Sequence, residues 1–311
     1  MTAARKKAAP SASTRKRVNA LIRAVAKNPE GAALIALARR EKIRIVISDK
    51  PRAVGATGLF HEDDKAIDLD RKAKDKELAE VLAHELRHLW QSRIIRLDTN
   101  GLSAVNSMVQ RRITECDAFA YQIRFQLTSG RDDLAEIKKS LTKAPDKKKA
   151  AASLKEFNAL SAMIDMKAFF MSMQSEMDCY DRQTIETLQH KLEIARIFVK
   201  YRELLENTPS KAKKWEAERS KNDRRLKELY NEIAHPRPLD KKLPEILREG
   251  LASDSRKYFR YQNVDNLAAF IRREIPKKTL KKAQALEKKI LTVIEKSGAA
   301  PVRRQNKRQA G

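Results

Sequence analysis

The chain has 311 residues and carries 67 lysines and arginines against 41 aspartates and glutamates, a formal net charge of +26 at pH 7. Eight glycines and ten prolines are few for an all-β fold with many tight turns, so they favour a mainly helical chain. Two cysteines exclude a disulfide framework and a cysteine-rich zinc finger, and we expect a reducing, cytoplasmic location. No apolar run approaches the ~18 residues of a membrane-spanning helix, so we expect no membrane insertion.

The first part of the chain combines helical and extended patterns. Residues 1–13 are rich in Ala, Lys, Ser and Pro, and we expect a disordered basic tail. Apolar residues at spacings of three and four predict helices, and alternating β-branched residues predict strands. The predicted elements are helices from Thr14 and over Glu30–Arg40, a strand at Lys42–Ser48, and a hairpin of Gly58–His61 and Ala66–Asp70 around a turn at Glu62–Lys65.

Helices predominate after the hairpin. One is predicted from about Asp75 to Ile95, with an apolar stripe of Leu78, Leu82, Leu86 and Leu89, and another from about Ser103 to Leu127. Residues 131–296 show only helical patterns, and residues 299–311 form a second basic tail. We therefore predict an α+β, mostly α protein: a short antiparallel sheet packed on two helices within residues 14–130, followed by a helical domain at residues 131–298.

One motif carries chemistry: His84-Glu85-Leu86-Arg87-His88. On a helix, the spacing of four places His84 and His88 on one face, one turn apart, so both imidazoles can reach one metal ion. Glu85 lies beside that face, where it can act as the general base toward a metal-activated water. The motif therefore predicts a zinc-dependent hydrolase.

A catalytic zinc ion keeps three protein ligands and one open position. The next helix offers three candidates for the third ligand: Glu115, Cys116 and Asp117. Because consecutive residues are about 100° apart on a helix, adjacent candidates lie on different faces of it. Glu115 is the first choice by ligand type. Asp117 is the alternative third ligand, or else a carboxylate that hydrogen-bonds a ligand histidine. Cys116 matches the apolar positions of its helix and is expected in the core.

A strand, a hairpin, an HExxH helix and a second helix with Glu115-x-x-Ala118 resemble the catalytic core of gluzincin-type zinc peptidases. The resemblance covers residues 40–128 and implies His84, His88 and Glu115 as zinc ligands and Glu85 as the base. The string from Ala83 to Gln91 is also similar to an uncharacterised bacterial family described as metallopeptidases. Two positions depart from the gluzincin pattern. Arg87 is charged inside the motif, and Phe119 stands where many gluzincins have an aspartate that orients a histidine.

Peptidases of this type bind their protein or peptide substrate along an edge strand, and the hairpin 58–70 is the candidate for that edge. His61 on this hairpin is expected to be an ordinary surface histidine rather than a ligand. Tyr121 is a possible oxyanion donor, but a packed helix residue is the simpler interpretation.

The basic charge supports an alternative function. Paired lysines such as Lys277-Lys278 and Lys288-Lys289, together with the two tails, suit non-specific binding of nucleic acid. The alternative is therefore a basic helical protein associated with nucleic acid, in which the zincin-like core is inactive or structural. A third possibility is a metal-dependent hydrolase with a substrate other than a peptide.

Overall fold

The computed structural model describes residues 11–97, 101–129, 177–239 and 264–298. Most of both predicted tails and the helical predictions for residues 130–176 and 240–263 lie outside the described residues. The described residues form two compact units. The first comprises residues 11–97 and 114–129, and the second comprises residues 101–113, 177–239 and 264–298.

Helices dominate the described residues, as the sequence predicts. The helices are α1 (Ala12–Ala26), α2 (Pro29–Arg40), α3 (Lys50–Ala53), α4 (Asp75–Trp90), α5 (Ala104–Ser129), α6 (Met177–Glu206), α7 (Pro209–Ala234), α8 (Val264–Glu274) and α9 (Lys277–Lys296). The strands are β1 (Arg44–Ser48), β2 (Gly58–His61) and β3 (Ala66–Asp70). The predicted class, α+β and mostly α, is confirmed.

Local sequence signals fix several of these boundaries. Asn28 caps α2 by accepting hydrogen bonds from the N–H groups of Glu30 and Gly31, and Pro29 occupies the first helical turn, where no N–H is needed. The predicted helix at 75–95 is α4 followed by a π-helical turn at Gln91–Ile95, and it ends at Arg96 in the left-handed conformation (φ 58°).

The sheet is mixed, so the expectation of an antiparallel sheet is wrong for one of its two pairings. The strand order is β1-β3-β2. Strands β2 and β3 pair antiparallel, as a hairpin must, whereas β1 and β3 pair parallel, with Arg44 opposite Ala66. The reason is the connection at residues 49–57, which contains α3. It is long enough to carry the chain past one strand position, so β2 forms the far edge and β3 returns into the middle, parallel to β1.

The core of the first unit lies between one face of the sheet and helices α1, α2 and α4. The predicted leucine stripe of α4 is completely buried there: Leu78, Leu82, Leu86 and Leu89 all have 0% exposure. Ile67 and Leu69 of β3 meet this stripe from the sheet. This packing holds α4 in a fixed position against the hairpin, and α4 carries the HExxH motif.

The second unit is helical. Helices α6, α7 and α9 pack against one another, and the buried Arg112 of α5 forms an ion pair with Asp181 of α6 (Nη2–Oδ2, 2.8 Å). At the start of α5, the N–H of Ala104 donates to the carboxylate of Glu287 on α9. In the parts of the chain that the structure describes, no helix is both long enough and apolar enough to cross a membrane.

Candidate metal centre

Three of the predicted site residues converge in the first unit. His84 and His88 lie one turn apart on α4, and their Nε2 atoms are 3.0 Å from each other. Glu115 reaches them from α5: its Oε2 atom lies 3.5 Å from Nε2 of His84 and 3.4 Å from Nε2 of His88. His84 and Glu115 are buried and His88 is partly buried. Two imidazole nitrogens and one carboxylate oxygen therefore lie within 3.5 Å of one another, close enough to bind one ion.

The geometry of the three donor atoms fits a small divalent cation. Four ligands placed tetrahedrally at about 2.0–2.1 Å from an ion lie about 3.3–3.4 Å apart, close to the separations found here. Oε2 of Glu115 is buried and lacks hydrogen-bond geometry to either imidazole, although it lies near both. A buried carboxylate oxygen without a hydrogen-bond donor is costly, and a cation would compensate it. Two histidines and one glutamate are also a ligand set of catalytic zinc sites.

Electrostatic coupling within the cluster is strong. Burial acts to lower the pKa of His88, but the carboxylate of Glu115 outweighs burial and raises this pKa to about 10. Burial acts to raise the pKa of Glu115, but the two imidazoles outweigh it and hold this pKa well below its usual range. In the metal-free protein a proton on His88 thus balances the charge of Glu115, and a bound cation would take over that role.

Glu85 lies beside the three donors and is fixed by strand β2. Its carboxylate accepts a hydrogen bond from the N–H of Phe60, and burial raises its pKa. Gly58 makes this approach possible, because a Cβ atom at residue 58 would lie 2.4 Å from Cγ1 of Val81 and 2.7 Å from Oε1 of Glu85. Helix α4 can therefore pack directly against the β2 backbone only where residue 58 lacks a side chain.

A series of hydrogen bonds that begins at Nδ1 orients the ring of His88. Nδ1 of His88 lies 2.9 Å from Oε1 of Gln91. The amide nitrogen of Gln91 donates to Oδ2 of Asp117 (2.7 Å) and to the carbonyl oxygen of Thr114 (2.9 Å). Since Oε1 can only accept, the proton of a neutral His88 is held on Nδ1, and the lone pair of Nε2 faces the other donors.

Asp117 is not placed as the sequence suggested. It was the alternative to Glu115 as third ligand or as the hydrogen-bond partner of a ligand histidine, but Gln91 lies between Asp117 and His88 and makes the hydrogen bond to each. The carboxylate of Asp117 is fully buried and pairs instead with Arg87, with Nε–Oδ2 at 2.9 Å and Nη2–Oδ1 at 3.2 Å. The preference for Glu115 over Asp117 by ligand type agrees with this placement.

The two departures from the gluzincin pattern have structural explanations. The charge of Arg87 is neutralised by Asp117, and its guanidinium stacks over the ring of Trp90, 3.8 Å from the centroid. Phe119 packs its ring edge-on against His84, with centroids 4.5 Å apart. His84 is thus positioned by an aromatic contact at the place where many gluzincins use an aspartate.

Two further candidates, His61 and Tyr121, are not members of the group of three donors. His61 faces the buried Asp68, with Nε2 3.3 Å from Oδ2, and is not among the converging ligands. Tyr121 is 2% exposed within the core cluster, with the guanidinium of Arg87 5.6 Å from its ring. The side chain of Cys116 lies outside the described residues.

Gln91 and Gly58 are functional candidates that the sequence analysis missed. Gln91 follows His88 by three residues and therefore lies on the same face of its helix. This spacing could have predicted a hydrogen bond between the two side chains. Gly58 had no comparable signal, because its importance depends on the helix that packs against it.

These donors define a candidate metal centre in a mostly helical α+β protein. The chain belongs to the Putative metallopeptidase family (DUF6782), whose family model matches residues 1–163. The matched segment includes α1 to α5 and all four residues of the proposed site. The similarity to an uncharacterised metallopeptidase family, predicted from the string Ala83 to Gln91, is confirmed. No significant match was found among curated proteins or among solved structures.

Proposed function

We propose that this protein is a zinc-dependent peptidase of the gluzincin type. His84, His88 and Glu115 would hold the ion, and Glu85 would act as general base. The observation that supports this proposal is the convergence of the three donor atoms within 3.0–3.5 Å beside a second buried carboxylate. Zinc bound there would polarise a substrate carbonyl and lower the pKa of a water molecule toward about 7.

Glu85 is suited to proton transfer. Its carboxylate is buried, so its pKa is raised and its proton affinity lies closer to that needed near neutral pH. The hydrogen bond from Phe60 fixes one side of the carboxylate, which limits its motion relative to His84 and His88. In this role Glu85 takes a proton from the attacking water and delivers it to the amine that leaves.

Strand β2 supplies a binding edge for an extended peptide. It is an edge strand of the sheet. The N–H of Asp70 on β3 donates to the carbonyl of Thr57 just before β2, and this hydrogen bond fixes which residues of β2 pair with β3. Because antiparallel pairs alternate, the backbone groups of Leu59 and His61 face β3, whereas those of Gly58 and Phe60 face away from it. The N–H of Phe60 already donates to Glu85, so a substrate strand would pair with the carbonyl oxygens of Gly58 and Phe60 and with the N–H of Gly58. A substrate strand added at this edge would lie beside Glu85, so a protein or peptide is the substrate class that we propose.

Cleavage assays on the zinc-loaded protein test the proposal. A library of short fluorogenic peptides and an unfolded protein serve as substrates, and Glu85→Gln should keep its zinc while losing about 10²–10⁴-fold in cleavage rate. Glu77→Gln is the matched control, because it changes an exposed glutamate on the same helix. Cleavage by Glu85→Gln at the wild-type rate, or wild-type cleavage that survives removal of the metal by a chelator, would contradict the proposal.

A further inference from the structure

Helix α9 carries an unusual density of basic side chains. Its 20 residues include seven lysines and only two glutamates. All seven lysines are exposed, and none forms an ion pair or hydrogen bond with any described residue. They are Lys277, Lys278, Lys281, Lys282, Lys288, Lys289 and Lys296.

These lysines share one face of the helix. At about 100° per residue they all fall within an arc of about 140°. Ala283, Leu286, Ile290 and Ile294 are buried and project from the opposite side. Glu287 lies outside the lysine arc and is engaged by the N–H of Ala104. We call this arc the lysine face; along the helix axis it extends for about 28 Å at about 1.5 Å per residue.

Within α9 itself, the lysine face has little negative charge to neutralise it. Glu295 is the only acidic residue of α9 within the arc. Seven exposed ammonium groups that form no ion pair with any described residue, on a chain of net charge +26, produce a positive potential that attracts a polyanion.

Two features of α9 indicate which polyanion. A helix that binds a membrane surface inserts its apolar side among the lipids, but the apolar side of α9 is already packed against α6 and α7. Proteins that bind single-stranded nucleic acid stack bases on aromatic side chains, and α9 contains none. A row of lysines along one side of a helix, without aromatic groups for base stacking, is instead suited to the regularly spaced phosphates of a duplex.

We propose that the lysine face of α9 binds the phosphate backbone of double-stranded nucleic acid, without sequence preference. The contact requires no metal, and it lies on the second unit, whereas the candidate metal centre lies on the first. It is therefore independent of the proposed peptidase activity. It also assigns to one folded helix the binding that the sequence suggests for paired lysines and the two basic tails together.

Fluorescence anisotropy with a labelled DNA duplex of about 24 base pairs tests this proposal on the full-length protein. The variant changes Lys281, Lys282, Lys288 and Lys289 to Gln, which keeps helix propensity similar. The control makes the same change at four exposed lysines of the first unit, Lys16, Lys27, Lys74 and Lys76. Both variants have the same net charge, and thermal melting monitored by circular dichroism verifies that both are folded.

We expect the α9 variant to bind the duplex at least about tenfold more weakly at 100 mM salt than the control does. The slope of log K against log salt should become less negative by about 3–4 in the α9 variant, since each phosphate contact contributes about 0.9. Equal losses in both variants would overturn the proposal, because net charge alone would then explain binding. Preferential binding of the wild type to anionic phosphatidylserine vesicles or to a single strand, lost in the α9 variant, would also overturn it.

Discussion

Replacing Gln91 with leucine tests whether the hydrogen bonds that connect His88, Gln91 and Asp117 support the metal centre. Leucine has a similar size but can neither accept from Nδ1 of His88 nor donate to Asp117. The three hydrogen bonds of Gln91, at 2.7–2.9 Å, would be lost together. The ring of His88 would then be free to rotate or to place its proton on Nε2, where the proton would block the metal.

The magnitude follows from the position of Gln91. Loss of a hydrogen-bonding partner of a ligand histidine typically lowers metal affinity 10–100-fold, which corresponds to about 1.4–2.7 kcal/mol. We therefore expect Gln91→Leu to bind zinc about 10–100-fold more weakly than the wild type. Because the buried carboxylate of Asp117 keeps its pairing with Arg87, the fold should persist, with a loss of about 1–3 kcal/mol in unfolding free energy.

Competition for zinc against a chromophoric chelator measures the affinity. Gln110→Leu is the matched control: Gln110 is also fully buried, lies in the second unit, and its side-chain amide has no hydrogen-bond partner among the described residues. It should bind zinc as the wild type does. If Gln91→Leu binds zinc as tightly as the wild type, while His84→Ala loses it, the inferred role of Gln91 is refuted.

Three further predictions concern the surroundings of the same site. Because burial raises the pKa of Glu85 above its unfolded value, ionisation of Glu85 opposes folding as pH rises above about 4.5. Metal-free Glu85→Gln should therefore melt at a higher temperature than the wild type at pH 7 and lose this advantage toward pH 4; an equal advantage at both pH values would contradict this. Gly58→Ala should lower the unfolding free energy in urea by about 1–3 kcal/mol, and Val81→Ala in the same chain should restore part of it, since Val81 would meet the new Cβ atom; no loss in the single variant would exclude the close approach. Arg87→Leu should cost about 3–5 kcal/mol in the same assay by leaving Asp117 as an unpaired buried charge, and a cost below about 1 kcal/mol would show that the ion pair is not required.

Much of the first unit was predictable because its signals are local. The alternation in β1, the turn between β2 and β3, and the leucine stripe of α4 each lie within a few consecutive residues. The parallel pairing of β1 with β3 was not predictable in this way. It depends on the path of residues 49–57 across the sheet, which no periodicity in the strands encodes.

The candidate site shows the same division between local and non-local information. His84, Glu85 and His88 form one motif, and residue type alone favoured Glu115 as their partner. The placement of Asp117 depends on the register between α4 and α5, which brings Arg87 and Gln91 to its carboxylate. Sequence spacing places a residue on a face of its own helix, but it does not show which side chain of a neighbouring helix lies opposite.

Metal content of the purified protein, measured by mass spectrometry after loading with zinc and removal of excess, tests the central claim most directly. The wild type and Glu85→Gln should each retain about one zinc ion per chain. His84→Ala and Glu115→Ala should retain none, because each removes one of the three converging donors. A wild-type protein without zinc, or a Glu115→Ala variant that holds it as the wild type does, would contradict the account.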